Sequence, residues 1–101
     1  MKAFYEFRMA DVSTLHITEM DQRLIIHPDA PDMLAMSDRR DWSIFTVCLN
    51  TQEDRADQYQ AMYDFGFSDF FVGVIRRCAA DGISYVKFDC DGFEYEDLPR
   101  P

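Results

Sequence analysis

No CxxC pair, no long apolar run and no basic cluster occurs in this 101-residue chain, and each absence removes a class of function. Cys48, Cys78 and Cys90 are widely spaced and joined only by His16 and His27, too few and too scattered for a structural zinc site. Each cysteine falls in a stretch that reads as strand or helix, where a free thiol behaves as a small buried hydrophobe. That usage fits a reducing compartment. No stretch approaches the ~18 consecutive apolar residues that span a bilayer. Glu6 and Arg8 interrupt the opening apolar run before it could act as a secretion signal. A soluble, cytoplasmic protein without a membrane partner is therefore expected.

Bases are also scarce. Ten Lys and Arg stand against nineteen Asp and Glu, a net charge of −9, and such a chain repels phosphate backbones. The doublets Arg39-Arg40 and Arg76-Arg77 stand next to acids or in mixed contexts, so direct nucleic-acid binding is disfavoured. A basic protein partner is permitted. What the chain does have is apolar bulk: nine Phe, five Tyr and one Trp. Each large ring can bury roughly 150–250 Å². This supplies one core, in a chain too short for two. A single domain over residues 1–101 is expected, with 93–101 as a loosely ordered acidic tail ending in prolines.

Periodicity gives an element order. Residues 2–9 alternate, with Ala3, Tyr5, Phe7 and Met9 on one face, and predict a strand; Asp11 to Thr14 read as a polar break. Thr18 to Asp21 resembles a capping box with Asp in place of Glu. It opens a short helix that ends before Pro28, with Ile17, Met20, Leu24 and Ile25 facing inward. Met33 to Met36 predicts a short strand, and Trp42 to Leu49, apolar on both faces, a central one. Thr51 caps a second helix carrying Ala56, Tyr59, Met62 and Tyr63, which Gly66 stops. Ser68 and Asp69 cap a third, where Phe67, Phe70, Phe71, Val74, Ile75 and Cys78 follow the helical repeat and Asp81-Gly82 ends it. Ile83 to Cys90 predicts the last strand, with Val86, Phe88 and Cys90 on one face, followed by an Asp91-Gly92 turn. The order β-α-β-β-α-α-β implies an α+β fold: a three- to four-stranded, mostly antiparallel sheet with two or three helices mainly on one face.

Three groups of residues could carry function. Ser13 and His16 lie close together after the first strand, and with Asp89 and Asp91 they could form a small hydrolase or metal-dependent site. No GxSxG elbow accompanies them, and the bland reading has Ser13 and Thr14 satisfying backbone groups at a turn while His16 packs locally. Asp89 and Asp91 alternate like metal-loop ligands, but the twelfth position counted from Asp89 is Arg100, where an EF-hand needs Glu; turn chemistry accounts for them, and no metal or cofactor is assigned. The third group is acidic: Glu53, Asp54, Asp57, Asp64 and Asp69 on the middle helices, then Asp91, Glu94, Glu96 and Asp97 interleaved with Phe93 and Tyr95. On one surface they would imitate a phosphate track and occupy a basic protein groove; apart, they are solvated faces with capping acids.

Residues 11–21, together with Gly66-Phe-Ser-Asp69, Val86 to Gly92 and Leu98-Pro99, resemble a family of short uncharacterised proteins encoded on bacterial conjugative plasmids and integrated mobile elements. The resemblance spans most of the chain and assigns no catalytic role. Arg100-Pro101 departs from the family's aromatic and acidic ending, which puts any site at the chain end in doubt. The resemblance implies an accessory protein of a mobile element. Two function classes follow: a binding protein docking on a basic groove of a host defence or nucleic-acid-processing protein, and the small enzyme on Ser13, His16, Asp89 and Asp91. Homodimerisation through aromatic strand faces is a third option.

Overall fold

The computed structural model describes residues 8–25, 27, 29, 44–48 and 55–101, with 44–48 and 55 described through their backbone alone. The elements run β1 (Met9–Ser13), a 3₁₀ turn (Thr14–His16), α1 (Glu19–Ile25), β2 (Ile44–Cys48), α2 (Arg55–Phe65), α3 (Asp69–Ala80) and β3 (Tyr85–Asp89). This is a small α+β arrangement. The expected strand at Met33 to Met36 and the cap at Thr51 lie outside the described residues.

The helices start and stop where side-chain chemistry dictates. The Thr18 hydroxyl accepts the Asp21 N–H at 3.0 Å, and Asp21 Oδ2 accepts the Thr18 N–H at 2.9 Å, the reciprocal bonds of a capping box. Ser68 caps α3, its hydroxyl accepting the Phe71 N–H at 3.2 Å. Gly66 and Gly82 close α2 and α3 with φ of +116° and +75°, a region that glycine enters without a Cβ clash. One inward assignment changes. Met20 is exposed, because α1's inward stripe runs through Ile17, Asp21, Leu24 and Ile25, so that the carboxylate takes the buried place.

Strand direction departs from the expectation. β3 pairs in parallel with β1 (Met9↔Tyr85 to Ser13↔Asp89) and antiparallel with β2 (Ile44↔Asp89 to Cys48↔Tyr85), in the order β1-β3-β2. The described sheet is therefore mixed, not mostly antiparallel. Between β1 and β3 the described chain passes through the 3₁₀ turn, α1, β2, α2 and α3, long enough to return in the same direction, which a tight hairpin cannot do. β3 holds the central place among the described strands, in place of the stretch from Trp42 to Leu49. Asp11 to Ser13, expected to be a break, are strand because β3 supplies their backbone partners. Most of the predicted strand over 2–9 lies outside the described residues.

The core joins α3 to the sheet. Phe71 stacks on Phe67 at 4.2 Å between ring centroids and on Phe88 at 5.6 Å, with Val12, Val74, Ile75 and Val86 buried around them. Cys78 is buried as expected, while Cys90 is exposed: β3 ends at Asp89, and the following turn carries Cys90 away from the face of Val86 and Phe88.

Candidate functional site

Residues 91–101, expected to be loose at 93–101, form a strap folded back across the end of β1. It begins at Gly92, where a Cβ would stand 2.7 Å from the Val12 carbonyl carbon and 2.8 Å from the Ser13 nitrogen, so no side chain fits. The Ser13 N–H donates to the Phe93 carbonyl at 2.9 Å, part of an isolated parallel bridge between Phe93 and Val12. Two further bonds converge on His16, which is 0% exposed. The Tyr95 N–H donates to Nε2 at 2.9 Å, and Nδ1 lies 3.2 Å from the Pro99 carbonyl oxygen. A carbonyl can only accept and a backbone N–H can only donate. The imidazole is therefore neutral, with its proton on Nδ1. Tyr95 and Leu98 pack against the core, and the exposed pairs Arg77–Asp97 and Arg100–Glu94 add contacts of small energetic weight.

This geometry places the residues of the enzyme reading. The register sets Ser13 opposite Asp89, but the Ser13 hydroxyl accepts the Leu15 N–H at 3.2 Å as the cap of the 3₁₀ turn. Both His16 nitrogens are bonded to strap backbone, which leaves no lone pair to take a proton from a nucleophile. Asp89 accepts the Asp91 N–H at 3.0 Å, and this bond, with Lys87 adding, holds its carboxyl below the usual range. Asp89, Cys90 and Asp91 bring their possible ligand atoms within 4.8 Å of one another on an exposed turn, a spacing that the Asx turn itself produces.

The acidic residues divide. Glu53 and Asp54 lie outside the described residues. Asp57 is exposed in the first turn of α2, and Asp64 near its end accepts a bond from Gln60 at 2.9 Å. Asp69 opens α3 and bonds the Tyr63 hydroxyl, which raises the Tyr63 pKa. Arg77 follows eight residues later on the same helix, a rise of roughly 12 Å. Its guanidinium bridges Asp81 at 3.2 Å and Asp97 at 2.5 Å, both of which raise its pKa. The length of α3 thus separates Asp69 from Asp97, and Arg77 partly neutralises the second. The strap carries the more distinctive surface. Phe93 is 64% exposed and lies 4.8 Å from the Tyr95 ring, with Asp91, Glu94 and Glu96 exposed beside it.

Two cavities flank the strap. One of about 550 Å³ has an apolar floor of Ala10, Cys78 and Ile83, with Arg8, Arg77, Asp81 and Asp97 exposed around it. The Cys78 thiol on that floor is pushed up to about 11, by burial first and by Asp81 second, and stays protonated at neutral pH. The other, of about 410 Å³, is lined by His16, Glu94, Glu96 and Arg100. Tyr95 and Leu98 line both, so these two side chains are the partition. Sequence reasoning missed Gly92's close approach, the Arg77–Asp97 pair and the packing of Leu98. The Asp-Gly dipeptide signals a turn but not what the turn lies against.

A family described as "Family of unknown function (DUF5983) C-terminal domain" matches residues 9–100. Neither the curated proteins nor the solved structures show a match to the chain. The matched span begins with the first residue of β1, contains every described element and runs through the strap. The chain belongs to that family.

Proposed function

We propose that this chain works by binding another protein, as a small acidic accessory protein of a bacterial mobile element, and that the strap presents its docking residues. The observation that carries this reading is Phe93, 64% exposed on a segment whose backbone is bonded to Ser13 and His16. An aromatic anchor already held in place loses little entropy on docking, which favours affinity. Asp91, Glu94 and Glu96 around it suit a pocket with a basic rim, and the net charge of −9 would steer the approach to such a partner. A basic groove in a host defence or nucleic-acid-processing protein has that chemistry. The mobile-element context rests on the resemblance of residues 11–21 and 66–92. The hydrolase reading is weaker, since Ser13 and His16 are bonded to backbone.

Retention of proteins from a bacterial lysate on the immobilised chain at low salt tests the proposal. The expected result is a basic protein whose binding weakens as salt rises and falls about 30-fold with Phe93→Ala, as for a hot-spot residue of about 2 kcal/mol. The variant's circular dichroism should match the parent. Recovery of no basic protein, or retention indifferent to both salt and Phe93→Ala, would overturn it.

A further inference from the structure

We infer that protonation of His16 unlatches the strap, so that its part from Tyr95 to Leu98 is held down while the imidazole is neutral and freed when the ring gains a second proton. The consequence for binding rests on the function proposed above; the latch itself rests only on the hydrogen bonds. In the docked state Nδ1 carries the single imidazole proton toward the Pro99 carbonyl, and Nε2 must accept the Tyr95 N–H. A second proton would put an N–H on Nε2 facing another N–H 2.9 Å away. Two donors cannot share that space. The ring is 0% exposed, so no water can mediate between them while the strap stays down. Protonation and docking are mutually exclusive.

Among the described residues, the charged and titratable groups around His16 come from the strap, α3, β1 and α1. The strap contributes Glu94, Glu96 and Arg100 to the cavity that His16 lines, with Glu94 paired to Arg100 at 3.1 Å. On α3, which packs against the 3₁₀ turn, the ionisable groups are Asp69, Arg76, Arg77 and Cys78; Arg77 is bonded to Asp81 and Asp97. β1 brings Asp11, which is exposed. In α1 the Asp21 carboxylate is bonded to Thr18 and Ser68. The remaining anchors are the Ser13–Phe93 backbone bond, the exposed Arg77–Asp97 pair and the packing of Tyr95 and Leu98. Lifting those two side chains also removes the partition between the two cavities. The released state therefore differs from the docked one in the surface it offers.

Amide hydrogen exchange on the isolated protein, corrected for intrinsic rates, reads the latch without any partner. Histidine is the side chain that ordinarily changes charge between about pH 5 and 8, so moving from about pH 7.5 to about 5.5 should speed exchange of the Tyr95 and Leu98 amides about tenfold. Amides of α3 and β3 should stay unchanged. His16→Gln keeps an oxygen acceptor but gains no proton in this range, and should abolish the pH response. Glu94→Gln with Glu96→Gln should leave it intact. A parent strap that follows α3 at both pH values overturns the inference, as does a His16→Gln strap with the parent's response. Should His16→Gln not fold, the parent and the glutamate double variant still decide it. Partner retention with Phe93→Ala is scored separately, so failure of the latch and failure of the binding function are distinguishable.

Discussion

Cys78 and Cys90 are the same residue type with opposite surroundings. Cys78 lies on α3's buried face, where desolvation and the nearby Asp81 carboxylate raise its thiol from 9.0 to about 11. Cys90 stands exposed on the turn after β3. A rise of this size lowers the thiolate fraction about a hundredfold well below both values, and the thiolate is the reacting species. Alkylation near pH 8 followed by peptide mapping should label Cys90 while Cys78 stays unmodified until the protein unfolds. Equal labelling would contradict the packing described here. The sign for stability follows from proton counts. Between 9.0 and about 11 the folded thiol keeps a proton that the unfolded one has lost, so this group's contribution declines as pH rises through that window. The sequence reading treated all three cysteines alike, because spacing says where a helix face lies and not where a strand ends.

At the scale of elements, one buried side chain joins two helices. Asp21 Oδ1 accepts the Ser68 N–H at 2.9 Å, and Oδ2 accepts both the Thr18 N–H and the Ser68 hydroxyl, at 2.9 and 2.5 Å. Ser68 in turn accepts the Phe71 N–H, so a single carboxylate serves the N-termini of α1 and α3, where the helix dipoles favour negative charge. Asp21→Ala would leave three donors without their acceptor and should cost about 3 kcal/mol or more. Thr18→Ala removes one cap and should cost about 1 kcal/mol. Urea denaturation measures both, and equal losses would mean that the joint between the helices carries no extra weight. Each cap was legible locally: Thr18 and Asp21 from capping-box spacing, Ser68 from its place before an apolar repeat. That the two caps share one carboxylate was not, because 47 residues separate Asp21 from Ser68. The strap follows the same pattern. Its acids and prolines read as a loose tail, yet the partners of its backbone sit on β1 and the 3₁₀ turn.

For the whole molecule, nineteen acids against ten bases mean self-repulsion in the folded state. The described ion pairs are mostly exposed, so salt removes little attraction while it screens the net charge. Raising ionic strength from about 0.01 M to about 0.15 M shortens the screening length from roughly 30 Å to 8 Å. The thermal midpoint should rise; a fall would show that specific ion pairs outweigh the net charge.

The sequence by itself determined which segments are helical, where α3 turns its apolar face, which residues cap α1 and α3, and that the surface is acidic. These depend on neighbours within one or two helical turns, whose chemistry is fully present in a short window. Tertiary structure alone decided that β1 runs parallel to β3, that Asp21 and not Met20 faces inward, and that His16 is a clamp with a defined tautomer. It also decided that residues 93–101 are held down. Each of these rests on a partner tens of residues away, and only the closed fold brings the two sides within bonding distance.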